Sequence, residues 1–233
     1  MRGLKAIAAV LLLTTGVANA QLSGTVTAVS DYSFRAISLT SLDPALQGSI
    51  DWAHDSGFYA GAWASNIDYG PGVDGDIELD LYLGIAGGPE GGIGWDVGLV
   101  YYTYLGADNP NVYPEAWVGL TYAMFKLKQW YTNDYVGADV DSYYTEANAS
   151  FELPAAFGLN LHAGYNYGDA FGDSEYIDYY VGVAYSVGNF NLELKYVDTD
   201  LDDNDSFFVK DDLFNTEGRA IFSVATTFPW SSE

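Results

Sequence analysis

The sequence predicts an all-β fold: a transmembrane antiparallel up-and-down β-barrel of about twelve strands. Three observations predict it. From Leu22 to Phe228 the chain runs in stretches of roughly ten residues that alternate apolar and polar side chains. The connections between these stretches are alternately short and long. Nothing after residue 20 has the length of a helical membrane span. A soluble sandwich has no reason to sort its loops by parity. An outer-membrane barrel does, with tight periplasmic turns at one rim and longer external loops at the other.

The N-terminus reads as an export signal. Arg2 and Lys5 form a basic region, Ala6 to Leu13 an apolar one, and Ala18-Asn19-Ala20 a small-x-small cleavage site. Residues 1–20 are thus expected to be removed, leaving 21–233 as the barrel. No cysteine follows the apolar region to take a lipid anchor.

The first strand is expected over 22–36, with Leu22, Val26, Ala28, Tyr32 and Phe34 opposite Asp31 and Arg35. Residues 44–52 set Leu46, Ile50 and Trp52 against Gln47 and Asp51. Residues 58–66 are aromatic on both faces and do not declare an orientation. In 76–86, Ile77, Leu79, Leu81, Leu83 and Ile85 face one way and Asp76, Glu78, Asp80 and Tyr82 the other. A helix would put Asp76 and Asp80 beside Ile77 and leave no clean stripe. Residues 93–101 set Ile93, Trp95, Val97, Leu99 and Tyr101 against Asp96 and Gly98, and 115–124 set Val118, Leu120 and Tyr122 against Glu115 and Trp117. Residues 127–135 are again ambiguous, and the sequence assigns Lys126 and Lys128 to neither face. Residues 143–152 oppose Tyr143, Thr145 and Ala147 to Glu146 and Asn148; 159–167 oppose Leu159, Leu161 and Tyr165 to Asn160 and His162. Residues 177–187 oppose Ile177, Tyr179, Val181, Val183 and Tyr185 to Asp178 and Gly182, and 190–196 oppose Phe190, Leu192, Leu194 and Tyr196 to Glu193 and Lys195. The last strand points Ala220, Phe222, Val224 and Phe228 outward and Arg219, Ser223 and Thr227 inward.

Short connections fall at 54–57, 87–92, 124–126, 153–157 and 187–189; long acidic ones fall at 66–76, 106–114, 133–141 and 198–214. Cleavage of the leader takes two positive charges from a chain of net charge −24, leaving −26. That charge argues against nucleic acid and anionic lipid as partners and favours solvent, cations or cationic solutes. With 49% hydrophobic and 16% aromatic residues the chain is not an acidic disordered segment. The absence of cysteine excludes a disulfide framework and a thiolate metal site.

The stretches SDYSFRAIS (30–38), DPALQGSIDWAHDSGFYAGAWASNIDYG (43–70), DSYYTEANASFELP (141–154) and ELKYVDTDL (193–201) resemble the TorF-type porins, small proteobacterial outer-membrane proteins. The resemblance runs over almost all of the mature chain. It implies an outer-membrane barrel with a channel role, and it carries no established substrate and no catalytic residues. Two features depart from the pattern. Ala36 stands where such sequences tend to have glycine, and Pro229 to Glu233 extend past the terminal strand.

The polar faces hold Asp31, Asp51, Asp76, Glu78, Asp80, Asp96, Glu115, Glu146, Glu152, Asp178, Glu193 and Glu217 against Arg35, Lys195 and Arg219. If that face lines water, the lumen is negative and concentrates cations. The competing interpretation has the carboxylates pair with the few basic groups and with tyrosines in a closed barrel, since twelve strands lie between filled and channel-forming sizes. The candidate pore-lining residues are Arg35, Asp51, Asp76, Glu78, Asp80, Glu146, Glu193, Lys195 and Arg219. Asp74, Asp76, Glu78 and Asp80 alternate as an ion ladder or an ordinary solvated face. Asp198-x-Asp200-x-Asp202 has the oxygen spacing of a calcium loop, but Asp203 and Val209 replace the glycine and glutamate such a loop needs, so a solvated loop is the expectation. No cofactor is expected. Of two histidines, His54 lies in a short turn and His162 on a polar face as a hydrogen-bonding residue; no GxSxG, HExxH or phosphate loop occurs, so no enzyme is expected.

The expected function is an outer-membrane porin-like channel for passive diffusion of small hydrophilic solutes, with a preference for cations and outer-membrane lipid around it. The alternatives are a non-conducting barrel whose acidic loops bind a partner or metal, an outer-membrane hydrolase or acyltransferase using His162, and a secreted sandwich or lipocalin-like binder.

Overall fold

The computed structural model describes residues 21–69, 75–106, 112–201 and 214–230. The expected signal at 1–20 therefore lies outside the described residues, as do Asp74 and Asp202. Twelve strands close into one antiparallel barrel: β1 (Gln21–Val29), β4 (Ala45–Ala53), β5 (Phe58–Asn66), β6 (Ile77–Gly87), β7 (Gly94–Leu105), β8 (Tyr113–Tyr122), β9 (Phe125–Thr132), β10 (Ser142–Glu152), β11 (Phe157–Tyr167), β12 (Tyr176–Val187), β13 (Phe190–Thr199) and β14 (Arg219–Phe228). A separate two-stranded hairpin, β2 (Ser33–Phe34) with β3 (Ile37–Ser38), lies between β1 and β4. Neighbours in sequence pair in space all the way round, and β1 closes the ring by pairing with both β4 and β14. Among the described residues no helix is long and apolar enough to cross a membrane.

Alternation decides which way each strand faces. On β6, Leu83 is 59% exposed while Glu78 is 1% exposed. Around the whole barrel the exposed large apolar side chains are the outward set, including Ile50, Leu81, Leu99, Val118, Leu127 and Val181. Their arrangement is layered. Trp52, Phe58, Trp95, Tyr122, Phe157, Tyr185 and Phe190 sit at the strand ends next to the short turns, and Tyr101, Tyr131, Tyr165, Tyr179 and Tyr196 sit toward the long loops, all exposed. Aliphatic residues fill the zone between. The outward run Ile177 to Val187 on β12 rises roughly 34 Å along the strand, or about 26 Å along the axis at a tilt of about 40°. That matches the apolar band of about 25 Å, flanked by aromatic girdles, that a barrel presents to lipid.

The two strands that the sequence left unoriented are settled by their neighbours. Trp63 pairs with Asp80 and Tyr59 with Gly84, which puts Tyr59, Gly61, Trp63 and Ser65 inside. Lys128 pairs with Glu146 and Lys126 with Asn148, so both lysines share the inner face. The expectation for the first strand needs correcting. It ends at Val29, and residues 30–44 turn into the barrel, so Tyr32 and Phe34 do not face outward and Arg35 is not on the wall. Alternation misled here because a segment buried in a polar lumen needs the same mixture of rings and charges as a strand. The inward hairpin turns at Arg35 (φ 49°) and Ala36 (φ 62°). This left-handed conformation favours glycine, which explains why a glycine at position 36 would suit the same turn.

At the end of the chain, Trp230 folds back on the short-turn rim. Its Nε1 donates to Thr226 Oγ1 at 2.9 Å and its ring stacks on Phe228 with centroids 4.9 Å apart.

Candidate functional site in the barrel interior

The interior divides into two storeys. The upper one, toward the long loops, is filled by the 30–44 segment and a collar of rings. Two ion pairs hold the segment to the wall. Arg35 Nη2 donates to both carboxylate oxygens of Glu115 on β8, at 2.9 and 2.7 Å, and both side chains are almost wholly buried. Tyr102 Oη donates to the same carboxylate at 2.9 Å. Arg219 Nε donates to Asp31 Oδ2 at 2.6 Å and its Nη1 to the Ala36 carbonyl at 2.9 Å. Ser38 donates to Asp31 Oδ1 at 2.5 Å. Charge-assisted bonds of this kind, shielded from water, are the strong ones.

The collar is built from a pair of rings and a longer chain of them. Tyr32 lies 5.3 Å from Trp63, Tyr102 stacks on Tyr113 at 4.7 Å, Tyr113 meets Tyr135 at 5.6 Å, and Tyr135 meets Phe171 at 5.4 Å. These are the offset and edge-on separations that aromatic pairs favour. Burial pushes the Tyr135 phenol up to about 12, so this part of the collar carries no charge at physiological pH. Glu78 and Asp80 are buried beside it.

The lower storey is polar. Lys128 lies between Trp117 and Trp130, its Nζ 4.3 Å from each ring centre and 3.6 Å from Asp96 Oδ2. Asp96 also accepts from Trp117 Nε1 at 2.9 Å and from Tyr59 Oη at 2.5 Å. Two aromatic faces and a carboxylate form a cage for an ammonium group. Nearby, Asp51 accepts a short hydrogen bond from Tyr82 and one at 2.7 Å from Ser49.

Under the tip of the inward segment is a cavity of about 280 Å³, lined by Arg35, Trp130, Tyr144, Glu146, His162, Lys195 and their neighbours. Glu146 accepts from Trp130 Nε1 at 2.9 Å and from Asn148 Nδ2 at 3.0 Å. His162 Nδ1 is 2.7 Å from Asn148 Oδ1, and its Nε2 is 2.9 Å from Asp178 Oδ1. Tyr180 stacks on His162 at 4.9 Å, and Lys195 Nζ lies 5.1 Å from the Tyr180 ring centre.

Most residues singled out from the sequence do meet inside: Arg35, Asp51, Glu78, Asp80, Glu146, Glu193, Lys195 and Arg219 all face the interior. Asp76 lies on the same side of the chain as Glu78, one residue before β6 at the long-loop rim, and is exposed, as are Glu152 and Glu217 at the strand ends. Exposure there fits the ordinary solvated face that the sequence also allowed for this run of carboxylates. Asp198 accepts from Tyr179 and Tyr196 at 3.1 and 3.3 Å, and Asp200 accepts from the Ile177 amide at 2.6 Å, so both are engaged with the barrel rim. Among the described residues no group of three carboxylate or histidine side chains is gathered to hold a metal. The caged Lys128 is what sequence reading missed. Its pairing opposite Glu146 is the only signal, and that requires the register of β9 on β10.

An apolar outer wall with two aromatic girdles, a charged interior and loops sorted by length define a porin-like β-barrel. Two solved porin structures are similar to it at the level of fold. The KdgM porin in complex with disordered oligogalacturonate is similar at 9% identity with a TM-score of 0.53, over 92% of this chain and 100% of that one. The NanC porin is similar at 8% identity with a TM-score of 0.54, over 89% and 98%. The profile of Gcw_chp, described as a bacterial protein of unknown function, matches residues 14–228, and the chain belongs to that family. None of the curated proteins matches it.

Proposed function

We propose that the protein is a narrow outer-membrane channel through which small hydrophilic solutes diffuse passively, in keeping with the resemblance of its sequence to TorF-type porins. In this reading residues 1–20 direct export and are removed. The observation that carries the proposal is the contrast between the two faces of the barrel wall: greasy, girdled residues outside, and inside a polar face with buried charges such as Glu78, Asp80, Glu115, Lys128 and Asp178. The inward 30–44 segment sets the width of the path. Arg35 and Arg219 are neutralised by Glu115 and Asp31. That leaves Asp51, Glu78, Asp80, Asp96, Glu146, Asp178 and Glu193 facing Lys126, Lys128 and Lys195, so the lumen favours cations among simple ions. Purified protein in planar bilayers under a salt gradient tests both statements. Discrete conductance with a reversal potential of cation-selective sign is expected. The opposite sign removes the preference, and silence in the bilayer removes the channel.

The ring-filled upper storey favours a second reading, a non-conducting barrel whose acidic loops bind a partner. Deleting 198–214 would then abolish binding without changing permeability.

A further inference from the structure

We infer that the cavity beneath the tip of the inward segment is a binding site for a small zwitterion of amino-acid size. The inference deepens the channel reading above and rests on it, since it names the class of solute that pauses in the lumen. It starts from unbalanced charge on the cavity wall. Lys195 has no carboxylate within 4.0 Å among the described residues; its one close partner is the face of Tyr180. Arg35 is committed to Glu115 through Nη2, while its buried Nη1 has no partner. On the other side, Glu146 and Asp178 have no lysine or arginine within 4.0 Å among the described residues. Their hydrogen bonds come from Trp130, Asn148, Asn166, Tyr144 and His162.

A lone anion entering this space meets Glu146 and Asp178, and a lone cation meets Lys195, since Arg35 is neutralised by Glu115. Each of those encounters is costly. A solute carrying a carboxylate and an ammonium satisfies both walls, with its carboxylate toward Lys195 and the free Arg35 nitrogen and its ammonium toward Glu146. Size agrees. A cavity of about 150 Å³ holds benzene, so one of about 280 Å³ takes a molecule of roughly ten heavy atoms, about as large as glutamine. Tyr144, Tyr180 and Trp130 line the remainder, where the rest of the solute would lie.

The test is isothermal titration of the full-length mature barrel in detergent at about pH 8, above the ordinary imidazole range. L-glutamine, sodium acetate, methylammonium chloride and acetamide are compared at constant ionic strength. Saturable binding of glutamine is expected, with acetate, methylammonium and acetamide each at least about tenfold weaker. Lys195→Met and Glu146→Gln should each weaken glutamine at least about tenfold. Acetate or methylammonium binding as tightly as glutamine overturns the inference, as does absence of glutamine binding up to roughly 100 mM. So does unchanged affinity in a folded Lys195→Met variant. If neither variant folds, the series on the unmodified protein decides alone. Liposome swelling with a neutral sugar separates the two levels of the argument: no swelling while glutamine still binds refutes the channel and leaves the site standing, and swelling without glutamine binding refutes the site alone.

Discussion

Replacing Arg35 with alanine should release the inward segment and widen the lumen. The Arg35 and Glu115 side chains are 4% and 1% exposed, and they share a two-pronged contact of 2.9 and 2.7 Å. Removing the guanidinium leaves Glu115 buried with Tyr102 as its remaining donor. Breaking one half of such a pair costs about 3–5 kcal/mol. At 1.4 kcal/mol per tenfold, the docked population of the segment falls by roughly two to three and a half orders of magnitude. The segment then keeps the Asp31–Arg219 pair, the bond from the Ser38 amide to the Asn215 carbonyl, and the bonds from Arg219 and Tyr176 to the Ala36 and Arg35 carbonyls, but loses its one ion pair to β8. The chain has no cysteine, so a single Leu39→Cys reports on docking. Leu39 is buried in the collar, and a water-soluble maleimide should label it slowly in the parent and quickly when Arg35→Ala is added. Single-channel conductance should rise in parallel. The paired change Arg35→Met with Glu115→Met should restore slow labelling, because an apolar pair of similar volume replaces a buried ion pair at little cost. Equal labelling rates and equal conductance with and without Arg35 would refute the latch.

Three further outcomes are expected. Val181→Arg, mid-height on the outer wall of β12, should cost about 2–4 kcal/mol in urea unfolding from lipid vesicles, and Phe190→Arg at the short-turn rim about 0–1 kcal/mol; equal costs would mean that the wall does not meet lipid. At Gly98 an added Cβ would lie 2.2 Å from Trp117 Cζ2, so Gly98→Val should displace the indole from Asp96 and destabilise by about 1–3 kcal/mol in the same assay. Lys128→Ala empties the cage between Trp117 and Trp130 and frees Asp96, so the reversal potential under a salt gradient should move further toward cation selectivity; a shift the other way contradicts the proposed lumen charge.

Most of the barrel is legible in the sequence because each strand answers to two solvents. Leu81 and Glu78 cannot exchange faces without putting a carboxylate in hydrocarbon, so period two is enforced residue by residue. The failures share one cause. Along 30–36 rings alternate with charges as they would on a strand, along 58–66 both faces hold aromatic or small residues, and a tyrosine is at home against lipid headgroups, inside a polar lumen or in a collar. Tyr32 and Tyr101 carry no local mark that one is buried and the other at the membrane surface. Lys126 and Lys128 gain an inner face only through pairing with Asn148 and Glu146, a long-range fact. Asp76 keeps its place in the alternation but sits one residue before β6, at the rim, where the pattern alone does not tell a lumen residue from one bathed in solvent.

The seam between β1 and β14 has a temporal consequence. Gly24 sits opposite Phe228 and Val29 opposite Ser223, so the cylinder can be sealed only after β14 has been made. Until the last hairpin arrives, both margins of the nascent sheet offer unpaired amides and carbonyls to any passing strand. A molecule truncated before Arg219 keeps those margins for good, and its fate is to join another copy rather than to finish itself.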